Sequence, residues 1–179
     1  MLDDESGPTM PSPPSLLDEA LVAWTYARDG VIAELENIPG NEFGFQPSPH
    51  SRTVAELGQH IAESALMAAG ELARPDGNFQ RQDYPDFIHE YAGTRARATA
   101  KEPLIALLKT IHEEATARLR DAGELLLMQP IVQFNGEPAT RLTWLHHAIA
   151  HEEYHRGQIA LYARMLGHLP ALTRLIQGG

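Results

Sequence analysis

His151 and His155 stand one helical turn apart in the segment 140–166. Around them Trp144, Ala148, Ile159, Tyr162 and Leu166 recur at steps of three and four, the spacing of one buried helical stripe. Both imidazoles therefore point the same way. A core stripe normally carries Leu at such places. Two histidines there must find polar partners or bind something. Neutral imidazole is a common ligand for divalent transition metals, so the pair reads as part of a metal site. The plainer reading is a pair of hydrogen-bonded core histidines. A catalytic metal usually takes three protein ligands plus water, so a third ligand has to come from elsewhere in the chain.

The same stretch, His151-Glu152-Glu153-Tyr154-His155, matches H-E-x-x-H, in which the Glu would be the general base of a zinc protease. The residues beyond it do not complete that motif. Gln158 and Leu161 stand where the extended form needs Gly and a third His. No Asp or Glu follows Glu153, so a downstream carboxylate ligand is also missing. The third ligand must lie upstream, and Glu152 is at most a weak catalytic candidate.

The elements that must position these histidines follow from the apolar pattern. Leu17, Leu21, Trp24, Arg28, Val31 and Leu35 predict a helix over 15–36 with Ser15 as its N-cap. Prolines and glycines over 39–50 predict a loop whose Phe43 and Phe45 tuck onto the bundle. Val54, Leu57, Ile61, Ser64 and Ala68 line a second helix, from Ser51 or Thr53 to Leu72. His60 lies on the shoulder of that face. A long polar connection over 73–100 holds at most a helical turn near Asp86 to Tyr91. Such connections often carry function.

Leu104, Leu108, Ile111, Ala115, Leu119 and Ala122 mark a third helix over 102–122, with Pro103 in its first turn. His112 and Glu114 flank that stripe, either as solvated residues or facing a central site. Asn135-Gly136 favours a hairpin-like excursion within 123–139. The fourth helix is the one that carries the histidine pair. Its second strip, Leu142, Leu145 and Ile149, suits a neighbouring helix or a dimer interface. Gly167 stops the helix and Pro170 follows.

Residues 1–15 hold Pro8, Pro11, Pro13 and Pro14 with Asp3, Asp4 and Glu5 and almost nothing to bury, so a disordered tail is expected. Residues 171–179 read as a short, loosely packed tail. The 179 residues suit one domain over 16–170. Four amphipathic helices with a long second connection make an all-α four-helix bundle. In a bundle, ligands project inward from facing helices, which makes His60 the best third partner for His151 and His155.

A net charge of −10 with only two lysines disfavours nucleic acid. No apolar run approaches a membrane span, and the N-terminus lacks a secretory pattern. The expected location is the cytoplasm. The chain has no cysteine, which removes disulfides, thiolate ligands and a Cys nucleophile together. Any thiol chemistry would use a small molecule.

The segment His151-x-x-x-His155-Arg156-Gly157-Gln158-Ile159, with Gly167 and Pro170 after it, resembles the closing helix of the DinB-like bundle proteins. Pro47-x-Pro49-x-Ser51-Arg52-Thr53-Val54-Ala55-Glu56-Leu57 followed by His60 resembles their second helix and the turn before it. The resemblance spans residues 16–170. It implies a four-helix bundle with three histidines, His60, His151 and His155, holding a divalent metal, commonly zinc or nickel, and often a homodimer. Relatives of known activity include metal-dependent transferases and isomerases that use small thiols such as bacillithiol or mycothiol.

An open metal position lowers the pKa of a bound thiol or water. The chain is therefore expected to be a small-thiol-dependent S-transferase acting on an electrophilic small molecule. A metal-dependent hydrolase or a non-catalytic metal-binding stress protein is the alternative. Glu152, His147 and Glu114 are candidate bases or supporting residues. Arg156 suits a surface ion pair, and Gln158 a hydrogen bond to a neighbouring helix or a ligand histidine.

Overall fold

The computed structural model describes residues 14–95 and 97–178, so most of the expected tail, residues 1–13, lies outside them. Four long helices form the bundle: α1 (Leu16–Asn37), α2 (Val54–Ala73), α4 (Lys101–Ala122) and α6 (Arg141–Met165). The connections carry α3 (Tyr84–Ala92), the single turn α5 (Glu124–Leu127) and the strands β1 (Pro130–Val132) and β2 (Pro138–Thr140). Helix α7 (Ala171–Gln177) closes the described chain. No helix among the described residues is long and apolar enough to cross a membrane.

Each long helix begins or ends for a local reason. Ser15 Oγ accepts from Asp18 N at 3.1 Å at the start of α1. Thr53 and Glu56 form a reciprocal capping box on α2. Thr140 Oγ1 accepts from Thr143 N at 3.1 Å and starts α6 directly from the hairpin. Gly167, at φ 88°, lets the chain leave α6 in a left-handed turn, with His168 N donating back to Ala163 O at 2.8 Å.

Around the bundle the order is α1, α6, α2, α4, so α1 and α2, consecutive in the chain, sit diagonally. Trp24, Leu35, Ile61, Leu104, Leu108, Leu145 and Ile159 meet in the core, each at most 1% exposed. The α2–α4 seam is close. A methyl group added at Gly58 would come within 2.6 Å of Leu104 Cδ2. That helical glycine costs some helix propensity but permits the approach.

The connection after α2 is more ordered than its composition suggests. Buried Glu71 accepts from Arg81, Tyr91 Oη and Asn78 N, and so ties the loop and α3 to the end of α2. Arg141 donates to Leu72 O at 2.9 Å and to Pro75 O at 3.0 Å, closing the open carbonyls at the C-terminal end of α2. The Asn135-Gly136 turn joins antiparallel β1 and β2, with Gly136 at φ 88°. Phe79 N donates to Val132 O at 3.0 Å and lays the loop on the hairpin. Ala171–Gln177 form a short helix with no buried residue. The Glu34 carboxylate accepts from Ala171 N and Leu172 N, an anion at a helix N-terminus.

One expectation needs correcting. The buried face of α6 does not follow the single stripe through Trp144 and Ala148. It includes Arg141, Leu145, Glu152, His155, Arg156, Ile159, Tyr162 and Ala163. Leu145 is in the core, with Leu142 and Ile149 packed against it. Helix α6 lies against α1 on one side and α2 on the other, so its second strip, through Leu145, meets the core as the neighbouring-helix reading expects.

Candidate metal centre

His60 comes from the middle of α2, and His151 and His155 from the middle of α6. The α2–α6 packing brings the three rings together. His60 Nε2 lies 3.1 Å from His151 Nε2, and His155 Nε2 lies 3.0 Å from the same atom. Among the described residues these three form the group able to hold a metal ion, with ligand atoms all within 4.8 Å of one another.

Hydrogen bonding alone does not satisfy this arrangement. His155 Nδ1 stands 2.7 Å from Gln158 Oε1. The amide oxygen accepts, so Nδ1 carries the proton and Nε2 keeps its lone pair. A neutral imidazole nitrogen either donates or accepts. His151 Nε2 faces two other Nε2 atoms and serves only one of them. A shared cation resolves the conflict. Donors bound at about 2.0–2.1 Å stand roughly 3 Å apart on adjacent positions, close to the spacing seen here. The residues therefore fit a divalent metal with an open position.

The electrostatics keep the rings neutral, the form a metal needs. Burial lowers the His60 pKa to about 3, helped by the Arg52 guanidinium and the other two rings. Burial, then His155 and Arg52, lower His151 to about 4. His155 is also lowered, chiefly by burial, with the Gln158 hydrogen bond opposing.

Glu152 faces α1. Its Oε1 accepts from Trp24 Nε1 at 2.6 Å and from Arg28 Nη2 at 2.6 Å, and its Oε2 accepts from Arg28 Nε at 2.9 Å. Arg28 Nη1 donates to Leu108 O at 3.0 Å. Both carboxylate oxygens are engaged, and the residue is 2% exposed. Glu152 is thus no free base beside the histidines. Glu114 pairs with Arg95 and Arg118, and His112 stands 3.0 Å from Thr25 Oγ1 with its ring edge-on to Trp24. Neither joins the trio. His147 is exposed and packs on Trp144. Arg156 pairs with Glu153 at 3.1 Å but is itself 8% exposed, so this is a half-sheltered ion pair. Gln158 does bond a histidine of the trio.

Sequence reasoning missed the Arg28–Glu152 pair, although a signal was present. Arg28 sits on the apolar stripe of α1, and a cation there demands an acid across the interface. It also missed the two chambers that flank the trio. A polar one of about 1060 Å³ is lined by Arg52, Gln59, His60, Arg97 and Gln158. An apolar one of about 260 Å³ is lined by Met67, Phe79, Phe134, Trp144 and His151. Tyr84 borders both.

Comparison with known proteins agrees with this architecture. A DinB-like protein (YjoA) from Bacillus subtilis superposes with a TM-score of 0.64 at 24% identity, over 85% of this chain and 95% of that one. YfiT from Bacillus subtilis, described as a probable metal-dependent hydrolase with an unusual four-helix bundle topology, gives 0.66 at 16% identity, over 88% and 92%. The mycothiol-dependent maleylpyruvate isomerase gives 0.59 at 14% identity, over 80% of this chain and 60% of that one. No curated protein matches the sequence. The profile of the DinB superfamily matches residues 23–159, which takes in the helix pair carrying the three histidines, and the chain belongs to that superfamily.

Proposed function

We propose that His60, His151 and His155 hold one divalent metal ion, zinc or nickel, and that the site activates a low-molecular-weight thiol against an electrophilic small molecule. The carrying observation is three neutral Nε2 atoms facing one another in a chain without cysteine. A bound divalent ion supplies an open position at which a thiol or water loses its proton more readily. Gln158 holds the tautomer and orientation of His155. The Arg28–Glu152 pair fixes the rotation of α6 against α1, which turns His151 and His155 toward α2. Arg52 borders the polar chamber beside His60 and favours an anionic thiol there.

The descriptions of the neighbours support both thiol-dependent and hydrolytic chemistry. The thiol reading is favoured by Glu152, a weak candidate base that is tied to Arg28 and Trp24. A thiol, with a pKa of about 8.5 against 15.7 for water, needs less help to ionise. The exposed Tyr154, Leu161 and Met165 on α6 offer a surface for the expected homodimer.

The test incubates metal-loaded protein with bacillithiol, mycothiol and glutathione in turn against a panel of electrophiles. Thiol consumption that His155→Ala abolishes supports the reading. Ester or amide hydrolysis without thiol consumption replaces it with the hydrolase alternative. Metal binding with neither activity replaces it with a non-catalytic binding role.

A further inference from the structure

The apolar chamber beside His151 is built from separate parts of the chain: Met67 from α2, Phe79 from the loop after it, Tyr84 from α3, Phe134 from the β1–β2 turn and Trp144 from α6. Tyr84 and Phe134 remain 38% and 39% exposed, so its mouth is open to solvent. An apolar cavity of roughly 150 Å³ holds benzene, so about 260 Å³ admits one ring with a short side chain.

The polar groups on this lining are few, and most are committed. Ser64 Oγ and Tyr84 Oη lie 3.0 Å apart and bond each other. Both oxygens of Glu152 are taken by Trp24 and Arg28. His151 belongs to the trio. Trp144 presents its ring, since its Nε1 is sealed from solvent. His147 is the exception: it lines the chamber, and its ring has no hydrogen-bond partner among the described residues. That ring rests on the Trp144 ring with centroids 5.1 Å apart, and Trp144 in turn packs on Phe79 at 4.4 Å. His147 and His151 are one turn apart on α6, so both side chains rise from one face, with Cβ atoms about 5–6 Å apart. A molecule in the chamber lies against one histidine of the trio and one imidazole free to move a proton.

We propose that His147 is the proton carrier for the electrophile, which seats a compact apolar ring in this chamber. The inference rests on the thiol reading above. It adds the acid–base group that Glu152 and Glu114, both held in ion pairs, do not provide. The polar chamber, on the His60 side, is left for the thiol. In the step, the thiolate sulfur bonds the electrophilic carbon. The electron pair displaced from that carbon passes to its neighbouring atom or to the leaving group. The His147 imidazolium gives a ring-nitrogen proton to that atom and becomes neutral. Water at the open mouth returns to the exposed ring the proton that the thiol released.

The first arm of the experiment needs neither metal nor turnover. Phenacyl bromide, a ring with a short side chain, alkylates neutral imidazole: a nitrogen bonds the methylene carbon, bromide leaves and the ring sheds its proton. Iodoacetamide reacts in the same way without a ring and reports exposure alone. Peptide mass spectrometry compares His147 with His146, its exposed neighbour, which points about 100° away and lines neither chamber. Phenacyl bromide should label His147 about tenfold faster than His146, through proximity, whereas iodoacetamide should label the two at similar rates. Ethylbenzene should protect His147 and leave His146 unaffected. Phe134→Ser, at a half-exposed turn position, should reduce the preference. Protection by ethylbenzene in the wild type keeps the inference testable if that variant fails to fold.

The second arm follows thiol consumption by the metal-loaded protein. His147→Ala should keep the zinc or nickel, lose about 10²–10⁴-fold in rate and recover in part with added imidazole, which a merely structural loss would not. Equal labelling of His146 and His147 by phenacyl bromide, or labelling that ethylbenzene does not slow, overturns the proposal. So does a His147→Ala variant whose lost activity imidazole does not restore. Thiol transfer undiminished in His147→Ala counts against this inference alone. Selective labelling of His147 in a protein that consumes no thiol counts against the thiol reading, and the proton step falls with it while the chamber stands.

Discussion

Replacing Arg28 with Met should be among the most damaging changes in the core. Arg28 is 1% exposed and Glu152 is 2% exposed, and they meet at 2.6 Å. Removing the guanidinium leaves Glu152 with Trp24 Nε1 as its one remaining partner in the core. Stranding one charge of a buried pair costs about 3–5 kcal/mol. A domain of this size changes Tm by about 2–4 °C per kcal/mol, so the loss should appear as roughly 6–20 °C. Glu152→Leu alone should cost a similar amount, because it strands Arg28 and unpairs Trp24. The double variant Arg28→Met with Glu152→Leu should recover most of the loss, since an apolar pair of similar volume replaces the ion pair. Urea unfolding at neutral pH on all four proteins completes the cycle. Single variants each within about 1 kcal/mol of the wild type would refute the reasoning. So would a double variant as unstable as the sum of the singles.

Gln158→Ala should leave the fold intact and weaken metal binding about 10–100-fold, as loss of a partner to a ligand histidine does, read by competition with a chelator. The metal-free protein should lose stability as pH falls from the ordinary histidine pKa of 6.5 toward 4. His60, His112 and His151 have folded pKa values lowered to about 3, 4 and 4, so the unfolded chain binds more protons in that range. The stability they protect is complete above 6.5, and a urea midpoint unchanged between pH 7.5 and 5 would contradict this. Gly58→Val should destabilise by about 1–3 kcal/mol through overpacking against Leu104, read as a lower melting temperature.

Much of the fold is legible in the apolar spacing. The stripes of α1 and α4 are buried almost as their sequence periods require. Helix α2 buries its expected stripe and nearly all the rest of its surface, because α3, α4 and α6 all pack on it. Helix α6 is harder to read. It packs on two neighbours, and the strip toward α1 contains Glu152 and Arg156, residues that look solvent-facing until their partners on α1 are known. Helix α7 has few apolar contacts, and its position depends on Glu34 capping its first amides across the chain. The convergence of His60 with His151 and His155 follows from two facing stripes. The aromatic chamber does not, because Phe79 and Phe134 come from irregular segments and Tyr84 from the start of the short α3, whose course is set by Glu71, Arg81 and a two-stranded hairpin.

The most direct test is the metal content and coordination of the protein purified without a polyhistidine tag. Elemental analysis should find about one zinc or nickel per chain, and X-ray absorption at that metal should show imidazole nitrogens at about 2.0–2.1 Å. His60→Ala, His151→Ala and His155→Ala should each lose the metal while keeping the helical circular dichroism of the wild type. A protein that takes up no divalent metal at neutral pH, or holds it equally well without His60, would contradict the account.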